Sequence, residues 1–386
     1  MMRLIPETLF FDFMARVKPA VGVSLFFILA SIGLVAFVGL NYGIDFKGGT
    51  DMILQFEKDI SAEEVRDAAK VAGFPDANVQ RYGTDGRQFL VQTSSVSVVN
   101  QGTITKVETA LKALAPLERS TWGEEQPDRM DLVFTSTVKP EQIKTAVKDL
   151  VGDVVIEENN VDAPGLKFVM RFEDLQQRVG ENFHNALPEA FSATKGILRL
   201  ETVGPRVGKQ LRDSGMLSLL VSLLLILIYI AFRFDVRYAP GAVVALIHDV
   251  VISVGFFVVI DMEISLPIIA ALLTIVGYSL NDTIVVFDRI RENLTSDGDS
   301  NVEHTINRSI SETLSRTIMT SLTTLLAVIA IIFFGGGLIE DFATALFIGI
   351  CVGTYSSIFI ASPVMLFMDR YLRTRRELKA RSQSAA

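Results

Sequence analysis

Six apolar runs of membrane-spanning length dictate what this chain can fold into: residues 20–40, 215–232, 239–260, 264–287, 317–334 and 342–368. Each is close to or above the roughly 18 apolar residues a spanning helix needs. Hydrocarbon offers no water to satisfy backbone polar groups, so runs of this length resolve as helices. A mean hydropathy of +0.39 with 21% charged residues agrees with that reading better than with several soluble domains. The first run exceeds the roughly 7 to 15 residues of a secretion-signal core and no cleavage site is evident, so it reads as a retained anchor.

Basic residues orient the runs. Arg3, Arg16 and Lys18 precede the first, Arg233 and Arg237 join the second to the third, and Arg289, Arg291, Arg308 and Arg316 lie in residues 288–316, between the fourth and fifth. Arg370, Arg373, Arg375, Arg376, Lys379 and Arg381 follow the last, whereas the opposite short loops hold Asp261, Glu263, Glu340 and Asp341 without Lys or Arg. The positive-inside rule then puts 1–19 and 369–386 in the cytoplasm and 41–214 outside. The net charge of −8 comes largely from that outside region and gives no footprint for nucleic acid. The single cysteine, Cys351, lies in the sixth run, so the outside region must be held by an ordinary core.

The outside region repeats. Residues 52–56, 60–70 and 89–92 align with 130–134, 138–148 and 168–171, which marks an internal duplication. Each copy opens with a short alternating run and continues into a helix; Ser61 and Glu64 have capping-box spacing, and Val65, Ala68, Ala69 and Ala72 give one apolar face. Strand-like runs at 77–82 and 88–93 flank Asp85-Gly86, a hairpin-turn signal, before a second helix at about 103–114 and a final strand. The order βαββαβ predicts two tandem ferredoxin-like α+β units, 41–127 and 128–214, joined by a linker at 115–129. His184 is the region's sole histidine and no clustered ligand set accompanies it, so the domain reads as a binding or force-transmitting module, not an enzyme.

The membrane runs carry the chemistry. Asp282 sits in the fourth, with Asn281 beside it and Tyr278 and Thr274 at four-residue spacings on one helix face. An intramembrane carboxylate is a functional candidate by default, because lipid penalises it. Arg316, Thr320, Thr323 and Thr324 form a polar stripe into the fifth run; a structural ion pair, or a snorkelling anchor at Arg316, is the plainer reading. His248 and Asp249 break the third run and are further candidates for proton coupling or contact with a partner helix, against a satisfied intramembrane polar pair; as adjacent helix residues they are expected on different faces, unable to form a simple dyad. Gly349 and Gly353 make a small-xxx-small packing face, which also accounts for the serines at 356 and 357. Gly335-Gly336-Gly337 is an external turn without the Lys-Ser/Thr of a phosphate loop, so energy is expected from an ion gradient and not from a nucleotide or other cofactor.

Residues 41–50 (NYGIDFKGGT), 203–208 (VGPRVG), His248-Asp249 and 279–293 (SLNDTIVVFDRIREN) closely resemble the SecF family. The resemblance implies six helices forming half of a resistance-nodulation-division assembly, completed by SecD. It implies association with the SecYEG channel, with YajC as a further candidate partner, and use of the proton-motive force to draw preproteins out. The positions of Asp282 and Arg316 belong, by the same resemblance, to a proton-linked network near the SecD interface. One departure stands out: the family usually has a single small external domain. Half of a proton-driven solute or lipid exporter is the alternative, and a passive membrane scaffold leaves Asp282 unexplained.

Overall fold

The computed structural model describes residues 10–82, 86–94, 101–122, 129–152, 154–158, 165–172, 175–297, 301–335 and 337–384. Asp85 of the expected hairpin turn and Gly336 of the expected external turn lie outside them. The chain divides into two compact units, residues 1–41 with 215–386, and residues 42–214.

The first unit holds helices that are long and apolar enough to cross a membrane, six in all among the described residues. They are α1 (Val17–Phe37), α7 (Pro205–Arg233), α8 (Ala239–Val259), α9 (Leu266–Asp297), α10 (Val302–Phe334), and a sixth made of α11 (Gly337–Ser356), a π-helical turn (Ser357–Ala361) and α12 (Ser362–Ser384). Residues 288–316, expected as a loop, are instead helix as far as Asp297 and again from Val302. Helix period continues past the apolar stretch because ion pairs and hydrogen bonds reward it: Arg289 pairs with Glu312 at 2.6 Å and Asn293 donates to Ser309 at 2.9 Å, tying α9 to α10. Arg233 holds Asp288 at 2.6 Å and Arg237 holds Asp369 at 2.9 Å at the same basic end. Below them an apolar core gathers Phe234, Tyr238, Phe287, Ile290, Ile310 and Met365.

Helix α1 shows how sparingly a span can be attached. Its only buried residues are Ser24 and Ser31, seven apart and therefore on one face. Ser31 packs against Gly255 of α8, where a Cβ would overlap its side chain. The rest of α1 is largely exposed and apolar, as a lipid-facing helix should be.

In the second unit the chain passes through α2 (Ile44–Lys47), β1 (Gly49–Gln55), α3 (Ala62–Val71), β2 (Asn78–Tyr82), β3 (Gln88–Thr93), α4 (Gln101–Leu114), β4 (Leu117–Trp122), β5 (Arg129–Phe134), α5 (Pro140–Val151), β6 (Val154–Glu158), β7 (Lys167–Phe172), α6 (Leu175–Ala186) and β8 (Ile197–Val203). The capping box at Ser61 is present, Ser61 and Glu64 exchanging hydrogen bonds. His184 holds the carbonyl of Phe191 at 2.7 Å, a structural bond. Burial pushes the Asp76 carboxyl up, but hydrogen bonds from Ser94 and Thr93 outweigh it and hold the group below the usual carboxylate range.

Both predicted sheets form, each antiparallel, in the orders β2-β3-β1-β8 and β4-β5-β7-β6. Matching the repeats strand for strand gives the same ferredoxin-like order twice, with one correction to the boundaries. β4, which lies inside the expected linker 115–129, joins the second sheet, and β8 joins the first. The cores agree: α3 and α6 supply Val65, Ala69, Val179 and Phe183 to Met52, Leu54 and Phe89, while α4 and α5 supply Val107, Leu111, Ile143 and Val147 to Met130, Leu132 and Phe168. The segment from α4 to β7 is thus a complete, circularly permuted unit set into the β3–α6 connection, and cutting at 127/128 would divide it. An amphipathic helix and its following strand fit either copy equally well in periodicity, so sequence does not say which sheet they close.

Leu132→Ala tests this arrangement. A fully buried Leu to Ala change costs about 2–5 kcal/mol, and hydrogen exchange on the full chain is expected to lose protection in α4 and β4 along with β5–β7, leaving α6 and β8 unchanged.

The segments that enter and leave this unit cross at glycines. Gly48 and Gly49 adopt φ of 78° and 138°, and a Cβ on Gly48 would stand 2.9 Å from Pro205 Cα. Only glycine fits there without strain.

Candidate functional site

Helix α9 presents two faces. Thr274, Gly277 and Asn281 are exposed and Tyr278 is half-buried, whereas Ser279 and Asp282 are buried, Asp282 only 3% exposed. On α10, Arg316, Thr320 and Thr323 are exposed as well. The two faces meet where Tyr278 Oη lies 3.3 Å from Thr324 Oγ1. The chain therefore carries a polar groove on two membrane helices, with the buried Asp282 carboxyl beside it. Asp282 Oδ2 has no hydrogen-bond partner among the described residues, and the Arg316 charge reaches it through space. Asp282 and Arg316 are thus brought into electrostatic range without a direct bond.

A second polar cluster lies deeper. His248 Nδ1 is 2.8 Å from Asp249 Oδ1, and both side chains are almost fully buried. This corrects the expectation that adjacency forbids a dyad. The Cα atoms do diverge by about 100° around the axis, but Nδ1, the ring nitrogen nearest the backbone, folds back to the neighbouring carboxylate. Nε2 is then free to reach Ser24 Oγ of α1 at 3.1 Å. Asp249 Oδ2 accepts from Ser279 Oγ of α9 and from Ser356 Oγ of α11, the latter at 2.7 Å. Ser24 donates to Tyr355 Oη at 3.2 Å, and Tyr355 donates to the Ala20 carbonyl at 2.8 Å. The His248–Asp249 pair of α8 thus gathers groups from α1, α9 and α11.

Backbone geometry serves the cluster. Gly353 of α11 lies against Ser279, and Gly349 against Ile275, so α11 approaches α9 closely at both glycines. The π-helical turn begins immediately after Ser356, a local widening of the kind common at functional sites. Cavities of about 250 and 300 Å³ flank the histidine, the first lined by Phe27, Phe256, Cys351 and Tyr355, the second by Ile28, Ile247 and Ile360.

Sequence reasoning misses Ser24, Tyr355 and the bond made by Ser356, a residue that packing alone accounts for in the sequence. A signal existed for the first: Ser24 and Ser31 are the hydroxyls of an otherwise apolar run, spaced to share a face. For Tyr355 and Ser356 there was none, because their role depends on which helix lies opposite.

Comparison with known proteins places this geometry in context. Residues 183–371 match the family described as protein export membrane protein SecD/SecF, C-terminal, and residues 33–60 match the SecD/SecF GG motif, which contains Gly48 and Gly49. The protein translocase subunit SecF of Vibrio alginolyticus is 38% identical over 354 residues, covering 92% of this chain and 88% of the relative. That of Desulfurispirillum indicum is 37% identical over 369 residues, covering 94% and 93%. The crystal structure of SecDF from Thermus thermophilus, a translocon-associated membrane protein, superposes with a TM-score of 0.62 at 32% identity, covering 96% of this chain. This chain spans only 40% of that longer protein.

Proposed function

This chain belongs to the SecD/SecF family of protein-export membrane proteins, and on that premise we propose that it is the SecF-type accessory subunit of a Sec preprotein translocase. It works beside a SecD subunit and draws on the proton-motive force. The observation that carries this reading is the polar groove of α9 and α10. Ionised groups at a helix centre cost about 2.5–3.5 kcal/mol each on insertion scales, so the exposed Arg316, with the polar Asn281 and the buried Asp282 close by, calls for protein or water on its open side. Helices of a partner subunit supply the first.

In this reading the basic end of the bundle is cytoplasmic, residues 42–214 face the periplasm, and the pair acts on a preprotein emerging from the SecYEG channel, with YajC as a further candidate. Proton exchange at Asp282, set against Arg316, biases the bundle between two arrangements. The two direct connections from α1 and α7 give that bias an outlet in the external unit.

A photoreactive amino acid at Thr320 tests the groove. It is expected to capture a SecD-like subunit in native membranes, while the same probe at Leu29, on the exposed face of α1, captures none. Labelling of lipid alone at Thr320 would reject the groove as a subunit interface. Recovery of an outer-membrane duct or periplasmic adaptor would favour the exporter reading.

A further inference from the structure

The hydrogen bonds around His248 bear on how many protons the buried pair holds. Tyr355 spends its one hydroxyl proton on the Ala20 carbonyl, and Ser24 spends its own on Tyr355. Ser24 Oγ can then meet His248 Nε2 only as an acceptor, so Nε2 carries a hydrogen. The 2.8 Å contact between Nδ1 and Asp249 Oδ1 needs another. It belongs either to the ring, as an imidazolium beside a carboxylate, or to Asp249, as a carboxylic acid beside a neutral ring. Oδ2 accepts from Ser279 and Ser356 in both cases. Either way the pair has one proton more than a neutral histidine and a carboxylate, and its net charge is zero. Zero is also what the surroundings favour, since an uncompensated charge among packed spans is costly.

We infer that His248 and Asp249 together form a second proton-binding site, separate from Asp282, whose occupancy sets the hydrogen bond between α1 and α11. When the proton leaves, one hydrogen remains on the ring, and Asp249 becomes a bare carboxylate. That hydrogen moves to Nδ1, where the carboxylate accepts it, and Nε2 becomes an acceptor. Ser24 then turns its proton from Tyr355 to Nε2. Loading reverses each step, and no other bond is made or broken. The remaining titratable side chains around the ring are Tyr355 and Cys351 of α11, while α1 and α9 contribute hydroxyls. Ser279 stands one turn before Asp282 on α9, which places the two proton sites on neighbouring turns of one helix. The helix that feels the switch, α1, continues directly into the external unit.

The binding of the proton stands independently of the export reading; its use in export rests on that reading. Nitrogen-15 NMR of the full chain with its partner subunit in bilayers, His248 being assigned by its loss in His248→Gln, is expected to show a protonated Nε2 in the resting protein. A bare Nε2 with hydrogen on Nδ1 would overturn the inference at its root, whatever export does. Asp249→Asn places an amide where the acid would be protonated and holds the loaded form. Gradient-driven export is expected to fall at least tenfold in that variant, with Nε2 protonated at every pH examined. Full export there, in membranes where Asp282→Asn has lost it, would overturn the switch while leaving the export reading intact.

Discussion

Asp282→Asn is expected to remove the gradient-dependent component of preprotein export and leave the amount of folded protein unchanged. The amide keeps the shape of the carboxyl, so the tight packing of α9 survives, but it cannot exchange a proton. Burial of a neutral amide is also less costly than burial of a charge, which is why no loss of stability should accompany the loss of function. Each proton crossing the membrane releases about 2.3 kcal/mol per 100 mV, and about 1.4 kcal/mol is tenfold in an equilibrium. One proton per cycle therefore shifts a two-state element by roughly fifty-fold. Removing the exchanging group abolishes that shift entirely. Inverted vesicles assayed with and without an imposed gradient give the measurement, and normal stimulation in the variant would reject the coupling role.

The second large effect is structural. Gly349→Leu should collapse the contact between α11 and α9. Even a single methyl at this position would overlap Ile275, which is itself fully buried, so neither helix has room to yield without moving the other. Overpacking of this kind costs about 1–3 kcal/mol and occasionally more, and losses of that size change cellular abundance several-fold. Immunoblots of membranes are expected to show the variant at a small fraction of the normal level. Gly277→Leu is the informative contrast. Nothing lies within 4 Å of a Cβ there, so the chain should accumulate normally, yet Gly277 opens onto the polar groove, and co-purification of the partner subunit should weaken. Equal levels of both variants would show that the α9–α11 contact does not limit stability.

Much of this architecture was legible in one dimension. Hydropathy located every span because the bilayer imposes a length and a composition that are local properties of the chain. The repeat showed itself because both copies alternate and cap alike, and Ser61 with Glu64 closed the box their spacing announced. Asp282 could be singled out because lipid penalises a carboxylate inside an apolar run, whereas Arg316, at the edge of its run, reads locally as an anchor and stands out only through the family resemblance. What failed was everything that depends on which element lies opposite. The helical extent of 288–316 hinged on ion pairs between α9 and α10. The joining of β4 to the second sheet and β8 to the first hinged on cores that accept any helix of the right periodicity.

His248 and Asp249 draw the line most clearly. The sequence by itself established that two ionisable residues sit in a spanning helix, that six such helices exist, and that a duplicated α+β region hangs between the first two. Only the folded chain decided that Ser24, Ser279, Ser356 and Tyr355, from three other helices, converge on that pair. Periodicity and hydropathy are carried by neighbours along the chain. The partners of a hydrogen bond can lie a few hundred residues apart, and nothing short of helix packing brings them within bonding reach.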